Sequence, residues 1–153
     1  MIRTPHFFDL RRCLLHVILL ASCSVWLDSS SRGAEYWAYF GTYTGKGSQG
    51  IYVSRFNPQD GHLGPAALAA ECQDPSFLAT HPTGRFLYAV NEVNEFQGEK
   101  GGGVSAFQVN QATGTLTPLN HQSTQGAAPC HVVVDPSGRA VLVANYMGGS
   151  VAS

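Results

Sequence analysis

The sequence predicts an all-β fold of the β-propeller type, and three observations carry that prediction. The segment PSFLATHPTGRFLYAVN at 75–91 recurs as PCHVVVDPSGRAVLVAN at 129–145; Pro75 and Pro129, Gly84 and Gly138, and Asn91 and Asn145 are each 54 positions apart. The stretch between repeats as well: GIYV at 50–53 answers to GVSA at 103–106, and Gly61, Leu63 and Pro65 answer to Gly114, Leu116 and Pro118, at a spacing of 53. No sustained helical period appears after residue 35. A unit of roughly 50 residues made of short strands is the mark of a propeller blade, a small sheet that must stack on neighbours to bury its faces.

Each unit reads as strands punctuated by turn residues. Residues 36–43 align with the second strand of a unit, and no first strand precedes them in the mature region, so the first blade, about 36–70, is incomplete. The second blade, about 75–123, opens with the short apolar run 77–80. His81, Pro82, Thr83 and Gly84 then turn the chain, because proline presets its φ and glycine accepts a positive one. Its second strand is expected at 86–90, its third at 104–109, closed by the turn 110–114, and its fourth at 116–122. The segment 126–129 leads into a third blade, 129–153, reaching only to the start of its third strand. About two and a half blades, against the usual 4 to 8, read as the N-terminal part of a larger ring, inactive by itself.

Composition narrows the function. Charged residues make up 12% and the formal net charge is −1, which excludes a nucleic-acid footprint or a broad patch for anionic membranes. The N-terminus reads as an export signal over 1–34: Arg11 and Arg12 precede the apolar run 13–21, too short to span a bilayer as a mature helix. Small residues at 31–34 offer ordinary cleavage. The alternative is a lipoprotein signal, 1–22, with Cys23 lipidated and 29–33 as a short linker. The expected location is therefore periplasmic or secreted, with no integral membrane span after processing. Cys72 and Cys130 remain in the folded region and are expected as two separate buried thiols; no ligand spacing supports zinc.

The repeat also places residues on faces. The start of a first strand and the end of a second lie at one end of a blade, so His131, Asn91, Glu92 and Asn145 are expected on one rim, with Arg85 and Arg139 on the opposite face. The loop 93–102 projects from the same rim and is longer than its counterpart 147–149, as binding loops of repeat proteins are. His131 stands out because Phe77, expected as a core aromatic, holds the aligned position. An imidazole there suits a general base for water or a donor to a carbonyl oxygen, or else a structural bond to a loop carbonyl. Glu92, whose place Tyr146 takes in the next unit, is either a second acid or base or a solvated carboxylate. Asn91 and Asn145 are either structural partners of loop backbone or substrate contacts. Lys46 and Lys100 are the rim-side cations, Lys100 a candidate substrate contact. His62, His81 and His121 are expected to be surface residues.

As a set, YFGTYTG at 39–45, PSFLATHPTGRFLYAVNE at 75–92, PCHVVVDPSG at 129–138 and VANY at 143–146 resemble the bacterial lactonase family of seven-bladed propellers. The resemblance covers 36–153 and implies hydrolysis of a sugar δ-lactone ester, as in 6-phosphogluconolactonase, without metal or organic cofactor. The chain is also similar to carboxymuconate-lactonising propellers, whose site uses a histidine with arginine and glutamate from several blades. His131, in the Pro-Cys-His motif, is the position carried over as catalytic, with Glu92 a weaker transfer. A phosphate clamp is expected from blades beyond Ser153. An export signal sits poorly with a phosphorylated sugar of central metabolism, which points to another lactone. The competing expectation is a non-catalytic exported propeller that binds a glycan or a protein through the same rim.

Overall fold

The computed structural model describes residues 35–153, and the segment 1–34, where an export signal is expected, lies outside them. The first sheet runs β1 (Tyr36–Phe40), β2 (Gly50–Phe56), β3 (Ala67–Glu71) in that order. The second is built from β4 (Leu78–Thr80), β5 (Phe86–Asn91), then, after a small hairpin of β6 (Glu95–Phe96) and β7 (Glu99–Lys100), β8 (Gly103–Val109) and β9 (Leu116–Ser123), in the order β4-β5-β8-β9. The third holds β10 (Pro129–Val134), β11 (Val141–Asn145) and β12 (Ser150–Ala152). Every pairing is antiparallel, and all of the regular structure among the described residues is β. Among them no helix is long and apolar enough to cross a membrane.

The middle sheet explains why β5 reads as a continuous apolar run. Side chains alternate across a strand. Leu87 and Ala89 therefore enter one core with Ile51, Val53, Phe107, Val109 and Leu116, against which Trp37 and Tyr39 pack. Val90 enters the other with Val132 and Val143, joined by Tyr88, Val104 and Val141. A fully buried aliphatic side chain contributes about 1.5–3 kcal/mol. With nine buried residues in the first core and three in the second, the junction of the first two sheets is the stronger. By the same alternation, Tyr36 and Phe40 on the first sheet and Val133, Leu142 and Val151 on the third stand exposed on the sides turned away from the middle sheet.

Turns complete both junctions. The turn after β8 docks on the first sheet: Trp37 Nε1 donates to Gln111 O at 3.0 Å and Tyr39 Oη to Gly114 O at 2.8 Å. Gly114 has φ +74°, and a Cβ there would lie 2.6 Å from the Trp37 ring, so only glycine fits. At the second junction His81 Nε2 meets Gly138 O at 3.1 Å. His81 thus joins two sheets, where a surface residue was expected. His121 is exposed, as expected, with its ring perpendicular to that of Phe96 and centroids 5.5 Å apart.

Asp135 takes the place of His81 in the next unit and binds its turn internally. Its carboxylate accepts from Ser137 Oγ and from the amides of Ser137, Arg139 and Ala140, the last two at 2.7 Å. The Ser137 hydroxyl and these amides hold the carboxyl at about 2, below the ordinary 3.8. A depressed folded pKa gives stability that is complete above the unfolded value and lost as pH falls through the folded one. The stability advantage of the wild type over Asp135→Asn is therefore expected to shrink between about pH 4 and pH 2. Guanidinium midpoints of both proteins across that range check it.

Three further expectations are corrected. The loop 93–102 carries the β6–β7 hairpin, whose turn uses Gln97 and Gly98 at φ +54° and +82°. Phe77 is exposed on the inner edge instead of packed in a core. Cys72 and Cys130 are free thiols as expected but only half-buried.

Candidate active-site rim

The β4–β5 pairing of Leu78 with Ala89 and the β10–β11 pairing of Pro129 with Asn145 bring first-strand starts and second-strand ends to one end of their sheets. His131 follows a register shift between Pro129 and His131, which leaves Cys130 unpaired and re-aims the chain at that edge. The imidazole is exposed and lies against the Phe77 ring of the middle sheet, with centroids 4.4 Å apart and planes at 46°. The aligned positions of two successive blades thus touch.

Glu92, half-buried just beyond β5, is gripped from two sides. Tyr43 Oη donates to its Oε2 at 2.9 Å, and Ser76 Oγ donates to the same oxygen. Beside it, Asp74 Oδ1 accepts from Thr44 N at 2.7 Å and Thr44 Oγ1 at 2.9 Å. Asp74 sits at φ +40°, which turns its carbonyl to the amides of Ser76 and Glu92 at 2.8 and 3.1 Å. The hydrogen bond to Glu92, with the charge behind it, pushes the Tyr43 phenol above its ordinary pKa, so it stays a neutral donor. Ser76 precedes Phe77, whose ring meets His131, in the chain.

The asparagines belong to the interior. Asn91 is 1% exposed; its Nδ2 donates to Gln73 O at 2.7 Å and to Cys72 Sγ at 3.3 Å, and Ser105 Oγ donates to its Oδ1 at 2.7 Å. Asn145 is 3% exposed and donates to Thr124 O and Ser150 Oγ at 3.2 and 3.1 Å. The substrate-contact expectation for Asn91 and Asn145 therefore gives way to the structural one. Burial pushes the neighbouring Cys72 thiol up against the pull of the Asn91 and Ser105 hydrogen bonds, which keeps it protonated and inert.

Lys100, at the end of the β6–β7 hairpin, lines an open groove with Asn94, Glu95 and Gln125, apart from the His131 and Glu92 contacts. Lys46 is exposed between Gly45 and Gly47 in the loop that Tyr43 and Thr44 anchor. Arg139 is held in the Asp135 turn, its Nε bonded to Ser137 Oγ at 3.2 Å. Two clefts of about 380 and 390 Å³ lie elsewhere: one between the second and third sheets beside Tyr88 and Val143, the other beside Cys72 and His121. Neither is lined by His131 or Glu92, so the site is defined by its side chains and not by concavity. Among the described residues no group of three His, Cys, Asp or Glu side chains is placed to hold a metal.

Sequence reasoning passed over Tyr43, Asp74 and Ser76. Tyr43 lay within the GTYTG stretch, but nothing local signals a partner 49 residues away.

A model of the lactonase family of seven-bladed β-propellers matches residues 37–153. A 6-phosphogluconolactonase of Bacillus subtilis is 40% identical over 117 residues, which cover 76% of this chain and 32% of the relative. Among solved structures, a Bacteroides fragilis protein provisionally described as a 6-phosphogluconolactonase aligns with a TM-score of 0.71 at 40% identity, over 81% of this chain and 33% of that one. The periplasmic gluconolactonase of Pseudomonas aeruginosa aligns with a TM-score of 0.69 at 31% identity, over 77% and 34%. The chain spans about a third of the length of these relatives.

Proposed function

Because the chain belongs to the lactonase family of seven-bladed β-propellers, we propose that its protein hydrolyses a sugar lactone ester, with His131 as the general base. Water attacks the ring carbonyl carbon while the imidazole takes its proton. The tetrahedral intermediate collapses with cleavage of the bond to the ring oxygen, which recovers that proton as a hydroxyl, and the product is the open hydroxy acid. The observation that carries this reading is the exposed imidazole at the rim end of β10, in the position where the preceding blade holds a phenyl ring. Glu92 fixes the Tyr43 and Ser76 hydroxyls. The hydrolase names of the relatives favour this over a non-catalytic glycan-binding or protein-binding propeller.

Export belongs to the same proposal, as does the choice of an unphosphorylated substrate; the periplasmic location of the Pseudomonas gluconolactonase supports both. The test is opening of D-glucono-δ-lactone and of its 6-phosphate, followed by proton release against the spontaneous rate, with protein produced from the native gene. Acceleration of the neutral lactone above that of the phosphate is expected; no acceleration of either rejects the reading. The intact mass of the same preparation shows where the mature chain starts and whether Cys23 carries lipid.

A further inference from the structure

We propose that Tyr43 determines specificity at this rim: its ring is a fixed platform for the carbon–hydrogen face of a polyhydroxylated, pyranose-sized lactone. The inference rests on the lactonase reading and names what the site selects. Tyr43 is 64% exposed, yet it is held at both ends. Its hydroxyl is bonded to Glu92 at 2.9 Å, and the amide and hydroxyl of the next residue, Thr44, are both bonded to Asp74. Glu92 belongs to the second blade and Asp74 to the connection that leads into it, so Tyr43 leans across the junction. Its exposure therefore differs from that of Tyr36 and Phe40, which lie on the outer side of the first sheet.

Position points the same way. Thr42 Oγ1 donates to Gly50 O at 2.6 Å, as the end of β5 pairs Asn91 with Gly103. Tyr43 is thus the blade-one counterpart of Glu92, and the two rim residues meet across the blade boundary. An exposed aromatic ring that is already immobile loses little freedom when a ligand covers it. A sugar ring lying on it presents its hydroxyls edgewise to the Glu92 carboxylate. A lactone without hydroxyls has nothing to offer that carboxylate.

Two substitutions separate the ring from its hydroxyl. Tyr43→Phe keeps the face and drops the bond to Glu92; Tyr43→Gln keeps a polar side chain and drops the face. Measured on protein produced from the native gene, Tyr43→Gln is expected to raise KM for D-glucono-δ-lactone about tenfold, the equivalent of about 1.4 kcal/mol, with kcat nearly unchanged. Tyr43→Phe, which keeps the face but frees its outer end, is expected to raise KM less, by about threefold, and neither change should matter as much for δ-valerolactone. An unchanged KM in Tyr43→Gln, or a larger loss in Tyr43→Phe than in Tyr43→Gln, overturns the proposal. Calorimetric titration with gluconate, the open acid, reads the platform without turnover. Binding lost in Tyr43→Gln and kept in Tyr43→Phe supports it even if the wild type opens no lactone, which sinks only the lactonase reading. Absence of gluconate binding to the wild type, or equal binding by all three proteins, overturns it.

Discussion

His131→Ala is expected to lower the catalysed opening of D-glucono-δ-lactone by about 10²–10⁴-fold, the usual contribution of a positioned general base. The imidazole is exposed, so its removal leaves no buried hole, and the fold should survive. His131→Gln sharpens the result. The amide can still donate a hydrogen bond to a carbonyl oxygen but takes no proton from water. If the glutamine variant fails as badly as alanine, His131 acts as the base; if it retains most of the rate, the side chain polarises the carbonyl instead. Full activity in His131→Ala would end the assignment of His131 to catalysis. Phe77→Ala serves as the neighbouring control. It removes the ring that packs against the imidazole at 4.4 Å without touching a titratable group, and a smaller loss is expected than for either His131 variant.

How far the sequence could be read depends on what each residue touches. The strands were legible because the middle sheet is covered on both sides, so β5 alternates Leu87 and Ala89 into one core with Val90 into the other. The repeat placed His131 and Glu92 at one rim correctly because register alone sets that. It could not say what lies above a given position. Phe77 was therefore read as core although it borders open space, and the asparagines were left between structural partners and substrate contacts although they are sealed inside. His81 was read as surface because its partner is a main-chain carbonyl in the next blade, which no residue type announces. The β6–β7 hairpin had a weak signal in Gln97-Gly98, a pair suited to positive φ at both turn positions, but its two-residue strands are too short to show alternation.

The largest stability effect is expected at Asn91, and its repeat partner supplies the comparison. Asn91→Ala removes three hydrogen bonds inside the protein and leaves Gln73 O and the Ser105 hydroxyl without their partner, a loss of about 2–4 kcal/mol. Asn145 holds the same place one blade on, but its Oδ1 is buried without a hydrogen-bond partner among the described residues. The register explains the difference. Ser105 pairs with Ala89, and the residue that pairs with the equivalent Val143 is Ala152, which has no hydroxyl to give. Asn145→Ala also removes that unpartnered oxygen, so it should cost less, about 1–2 kcal/mol. Ala152→Ser puts a hydroxyl where the second blade has one and is expected to stabilise by about 1 kcal/mol. In the Asn145→Ala background the gain should disappear, because the acceptor is gone. Guanidinium denaturation of the four proteins and the wild type measures all of these terms. If the gain from Ala152→Ser persists without Asn145, the serine is acting elsewhere and the equivalence of the two asparagines is wrong.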